Sequence, residues 1–257
     1  MTVFTCKHDW EAMLSCIYDA WASKLGHQNI RLEYEGENQL SLMDEYCYVE
    51  ADPGKASSVM DAINLKISPE VYTELAYESM SSEPDALDNI YRVLLLGFAY
   101  GPNVLKMVQY AAVSRHIEIR RHVGNEVHHF IEFIRFHEVR KSLYVAHIEP
   151  KNRIVSALGT HFADRFPSES WMIVDDVHGE ALVQPADEAF FLKTLSSEEL
   201  DKLMLTEREN DEYTDLWRVF FNSIAIRERT NYELQRNLFP LWKRKHAVEF
   251  NGVHTVD

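Results

Sequence analysis

The sequence predicts an α+β protein: a small antiparallel sheet packed by helices, preceded by a small acidic α/β region. Three observations carry this. Apolar residues recur at helical spacing towards both ends of the chain. The middle is rich in Phe, Ile, Val and Tyr and broken by short polar turns, giving hairpins near 128–149 and 170–184. The order of helices, then strands, then helices is not the strict alternation of a doubly wound sheet.

Taken in order, "VFTC" reads as a short strand, and Asp9 caps a helix whose Met13, Ile17 and Trp21 share one face. Gly26 ends that helix, and "NIRLEYEGENQLSL" is a weak strand and turn. Pro53 and Pro69 each open a short helix, since proline suits the first turn. "SSEPDALD" is a polar linker, after which Leu87, Ile90, Tyr91, Leu94 and Phe98 form a broad apolar stripe. A second helix starts at Pro102. "HHFIEFIRFHEV" and "SLYVAHIEP" then read as two strands joined at "RKS". Helical spacing returns through Ile154, Leu158 and Phe162, and "SWMIVDD" and "EALVQP" make a second hairpin around "VHG". Tyr213, Leu216, Trp217, Phe220 and Ile224 mark a long helix, and Thr230 with Glu233 offers a capping box for a final one.

Charge divides the chain. Its net charge is −15, of which residues 1–90 carry −12 and residues 91–257 only −3. The expected organisation is therefore an acidic region over 1–85, a core domain over 86–250 and a tail over 251–257. The acidic excess argues against tight non-specific DNA binding by the whole chain. There is no apolar run of membrane-spanning length and no secretory leader pattern, so a cytoplasmic location is expected. Three scattered cysteines, Cys6, Cys16 and Cys47, exclude a cysteine-ligated iron–sulfur cluster within this sequence.

Two constellations could carry chemistry. On a helix His161, Asp164 and Arg165 share a face, and Asp175 or Asp176, at the end of a strand, could point back at them. His161, Asp164 and Asp175 are thus the candidate acid–base residues, although a helix end with a local ion pair reads the same way. The second is basic. Residues 115–153 hold 8 basic and 5 acidic side chains and six of the 12 histidines. Arg120, Arg121, Arg135, Arg140 and Lys141 there, together with Arg165, Arg227, Arg229, Lys243 and Arg244, are the candidate phosphate contacts. No spacing among the histidines forms a zinc motif, so no metal site is expected. Glycine-rich phosphate cradles and nucleophile elbows are also absent.

The phrases "YRVLLLGFAYG", "HHFIEFIRFHEV", "YVAHIEP", "HFADRF" before "WMIVDD", and "LWRVFFNSIAIRERTNYELQRNLFPLW" resemble a bacterial family described as DNA metabolism proteins that contains a domain of unknown function. The resemblance is close over Leu87 to Phe250 and looser before it; "KHDW" stands where the family commonly has an Asp-Gly-Ser-like helix start. It implies an accessory role in DNA repair or modification. Members are typically encoded beside a radical S-adenosylmethionine protein, and some are fused to a uracil-DNA glycosylase-like domain. S-adenosylmethionine and an iron–sulfur cluster are then expected only on that partner. An enzyme working on a damaged base or nucleotide through its His/Asp site, and an acidic protein–protein adaptor, are the other readings.

Overall fold

The computed structural model describes residues 1–36, 41–140, 142–206, 231–233, 236, 239–241 and 244–247. They form an α+β structure in two compact units, Met1–Gly124 and Asn125–Asp257.

The first unit is built on three parallel strands, β1 (Thr2–Cys6), β2 (Ile30–Tyr34) and β3 (Glu45–Tyr48), in the order β2-β1-β3. Helix α1 (Trp10–Ala22) crosses from β1 to β2; Asp9 caps it by accepting from the Ala12 amide at 2.9 Å. Helices α2 (Pro53–Lys66) and α3 (Pro69–Glu78) start at their prolines, capped by Asp52 and Ser68. The apolar stripe before Gly101 forms α4 (Ala86–Tyr100), and Leu87, Ile90, Tyr91 and Leu94 are fully buried in one core with Leu32, Ile63 and Leu75. A buried polar network ties α3 to α4: Glu78 accepts from Asn89 Nδ2 at 2.6 Å and pairs with His116 Nδ1 at 2.6 Å.

The expected helix at Pro102 divides in two. Gly101–Lys106 is a 3-10 segment, and α5 runs over Ala111–Phe133, so "HHFIEF" is helical and not strand. Val113, His116, Ile119, Val123, Val127 and Phe130 are buried at steps of three and four, a period that outweighs the local β-propensity of Phe and Ile.

The second unit holds a five-stranded sheet in the order β4-β5-β6-β7-β8. Its strands are β4 (His137–Arg140), β5 (Leu143–Ile148), β6 (Ser170–Asp175), β7 (Glu180–Gln184) and β8 (Phe191–Thr194). The hairpins β4–β5 and β6–β7 are antiparallel as expected. The join between them is not: β5 and β6 run parallel, connected by α6 (Val155–Arg165), so the sheet is mixed. An 11-residue helix between two strands is a crossover, which returns the chain in the same direction. Strands β3 and β8 and the helix α7 (Ser197–Thr206) have no counterpart among the elements expected from the sequence. The long helix expected over 211–231 lies, except for its last residue Asn231, outside the described residues.

The sheet's core is aromatic. Trp171 on β6 meets Phe162 of α6 at 6.2 Å and Phe136 at 6.3 Å between ring centroids, both edge-on. The Glu126 carboxylate accepts from the Lys151 and Asn152 amides at 2.9 and 3.0 Å, holding the turn after β5. Among the described residues no helix is long and apolar enough to cross a membrane.

Candidate functional site

Parallel β5 and β6 bring two carboxyl ends to one edge of the sheet, the usual place for a site in such a unit. Side chains alternate along a strand, so Val145, His147 and Glu149 follow one face of β5 and its end. The register pairs His147 with Val174, which carries Asp176, two residues on, to that same face. His137 on β4 pairs with Val145 and so becomes a diagonal neighbour of His147. Sheet geometry alone thus gathers two histidines and two carboxylates.

Within this group His147 is fully buried and Asp176 is 3% exposed. The Nδ1 of His147 lies 3.0 and 3.1 Å from the two oxygens of Asp176. A carboxylate can only accept, so Nδ1 carries a proton towards Asp176, and in the neutral ring Nε2 then holds the lone pair. Among the described residues Nε2 is buried with no hydrogen-bond partner. His246 closes the group from the C-terminal segment: its ring lies 6.1 Å from that of His147 at 26°, and the ring of His137 also lies 6.1 Å from His147, at 13°. The Nε2 of His246 is 3.8 Å from Glu149 and 4.0 Å from Asp176. Donor atoms of Glu149, Asp176 and His246 all fall within 4.8 Å of one another, and Lys245 pairs with Glu149. Beside them is a cavity of about 10 Å³, room for about one water, lined among others by His129, Phe133, Arg135, His147, Glu149 and His246. Phe239 stacks on Phe133 at 3.9 Å and anchors the C-terminal segment there.

The sequence-derived candidates sit elsewhere. His161 contacts Phe162 edge-on at 5.0 Å, and Asp164 is exposed. Asp175 is fully buried and serves the β6–β7 turn: it accepts from the Val177 and His178 amides at 3.0 Å and pairs with His178 Nδ1 at 2.7 Å. Among the described residues no hydrogen bond or ion pair joins the three. The alternation that sends Asp175 and Asp176 to opposite faces gives one to the turn and the other to His147. Signals for the observed group were present in "HIE" and "VDD", but they become specific only once β5 and β6 are known to be parallel.

Several candidate phosphate contacts are engaged within the fold. Arg120 pairs with Glu74 at 2.9 Å and lies 4.0 Å over the Tyr77 ring. Arg135 donates to the Glu132 and Ile134 carbonyls at 3.2 and 3.1 Å, and Arg244 to that of Phe239 at 2.9 Å. Arg121 and Arg165 are exposed, Arg165 lying 5.7 Å over Phe166. Arg140 ends β4. Lys141, Arg227, Arg229 and Lys243 lie outside the described residues.

Fold and site together define an α+β protein with a histidine–carboxylate group at the carboxyl edge of a parallel strand pair. The model of a family described as a domain of unknown function, DUF4130, matches residues 84–249, well over half of the sequence, and the chain belongs to that family. No protein of curated function matches it.

Proposed function

We propose that the chain is a nucleic-acid-associated component of a DNA repair or modification system, working beside a radical S-adenosylmethionine or glycosylase-type partner. Its own contribution is made at His147 and Asp176. The DNA context rests on the sequence phrases that resemble DNA metabolism proteins. The chemical contribution rests on one observation, the buried imidazole whose Nδ1 is held by a carboxylate while Nε2 has no partner among the described residues. Leaving a buried polar atom unsatisfied costs about 1–3 kcal/mol, a cost that persists where the atom is used.

Asp176 fixes the tautomer and the ring, so Nε2 is ready to accept a proton from a water or hydroxyl. The adjoining cavity has room for about one water, and Arg135, which lines it, supplies positive charge there. This is the equipment of hydrolytic chemistry on a nucleotide or damaged base.

The test is fluorescence anisotropy with single- and double-stranded DNA across salt, followed by product analysis on uracil-containing and abasic oligonucleotides. Wild type is expected to bind with a log–log salt slope of several units. His147→Gln should keep that binding and lose turnover by about 100-fold or more. No binding at low salt rejects the nucleic-acid role. Binding without turnover by the wild type leaves a DNA-binding accessory and rejects the centre.

A further inference from the structure

We infer that Glu149, Asp176 and His246 form a binding site for one divalent transition-metal ion of borderline hardness, such as Zn²⁺, Mn²⁺ or Fe²⁺. The inference rests on the same site as the proposed function and adds the cofactor that the site would take.

The donor set selects the class of ion. Two carboxylate oxygens suit hard cations, and an imidazole nitrogen draws the preference towards zinc, manganese and iron over calcium or magnesium. The positions are close to what such an ion needs. His246 Nε2 lies 3.8 and 4.0 Å from the carboxylates, and all three donors fall within 4.8 Å. Around an ion with bonds of about 2.0–2.2 Å, neighbouring donors stand roughly 3–3.5 Å apart, so the set must close by about 1 Å. Glu149 and His246 are 28% and 14% exposed and can shift, whereas Asp176 is buried and pinned by His147.

A second observation points the same way. His147 donates to Asp176, the outer-shell support that metal-binding carboxylates usually have. Among the described residues its Nε2 is buried without a hydrogen-bond partner, in a side chain that lines the cavity beside Glu149 and His246. Lys245 sets a competition for the site. Its ammonium pairs with Glu149, so an incoming ion must displace it. The lysine is a competitor built in next to His246.

The experiment titrates cobalt(II) chloride alone into metal-free full-length protein, followed by calorimetry and by the visible d–d band. No nucleic acid is present, so the result is independent of the DNA reading. Saturable one-to-one binding is expected, weakened about tenfold or more by Glu149→Gln and by His246→Ala. His128→Ala, at an exposed histidine of α5, should leave it unchanged. Lys245→Ala should tighten it several-fold. Circular dichroism verifies the fold of each variant; because Glu149 and His246 are partly exposed, the outcome does not depend on substituting the buried Asp176. No saturable binding at millimolar cobalt overturns the site. So does binding that both Glu149→Gln and His246→Ala leave intact, since the ion then lies elsewhere. An affinity that Lys245→Ala leaves unchanged overturns the competition.

Discussion

Asp176 holds His147 through Nδ1 at the carboxyl edge of two parallel strands, and both side chains are almost fully buried. The Asp176 amide also donates to the Ile148 carbonyl at 3.0 Å, so backbone and side chain fasten β6 to β5 at one point. Removing the carboxylate strands a buried imidazole N–H. Asp176→Ala is expected to destabilise the protein by about 1–3 kcal/mol, and Asp176→Asn by less, because an amide oxygen still accepts. Asp164→Ala, at an exposed position of α6, should stay within about 0.5 kcal/mol. Thermal unfolding of the three variants checks the contrast; equal losses would remove the special standing of the pair.

Gly159 faces Phe190 so closely that an added Cβ would lie 2.6 to 3.0 Å from three ring carbons. Alanine gains about 1 kcal/mol over glycine in a helix, whereas overpacking costs about 1–3 kcal/mol. The clash should win, and Gly159→Ala is expected to lower stability by about 1 kcal/mol. In a Phe190→Ala background the ring is gone and the same substitution should become stabilising. A sign that does not reverse between the two backgrounds in denaturant unfolding rules out the contact as the cause.

Arg115 links the starts of α4 and α5. It donates to both oxygens of Asp85 at 2.7 and 2.8 Å, to Glu83 at 2.9 Å and to Glu118 at 3.0 Å. The Arg115 guanidinium holds the Asp85 carboxyl below its ordinary 3.8. A depressed carboxyl contributes stability above its unfolded value and loses it as pH falls through the folded one. The unfolding temperature of wild type should therefore approach that of Arg115→Met as pH drops from about 5 to below about 4. The Asp85 carboxylate is about half exposed, so the difference is modest and shrinks with salt. A gap between the two proteins that is constant over this range would exclude the linkage.

Residues 86–257 should not fold alone as well as the whole chain does. The family match begins at residue 84, but Leu87, Ile90, Tyr91 and Leu94 are buried in one core with Leu32, Ile63 and Leu75. Each large apolar side chain returned to water costs about 1.5–3 kcal/mol, and four along one helix make a sticky surface. The fragment is expected to aggregate in size-exclusion chromatography, whereas Leu87→Lys/Leu94→Lys in the fragment should restore solubility. A monomeric, cooperatively unfolding fragment without those changes would contradict this.

The sequence by itself determined the α+β class, the helices at Asp9, Pro53, Pro69 and Leu87, and both antiparallel hairpins. Caps, prolines and apolar periods act over a few residues, so they can be read from one stretch at a time. The segment "HHFIEF" shows where that stops: its strand-like composition gave way to a helical period that began some fifteen residues earlier. Tertiary structure alone decided the site. His147, Glu149, Asp176 and His246 span about a hundred residues, and His161 with Asp164 looked the better pair because they are near in sequence. Strand direction and register join His147, Glu149 and Asp176, the C-terminal segment brings His246, and both depend on contacts between stretches far apart in sequence.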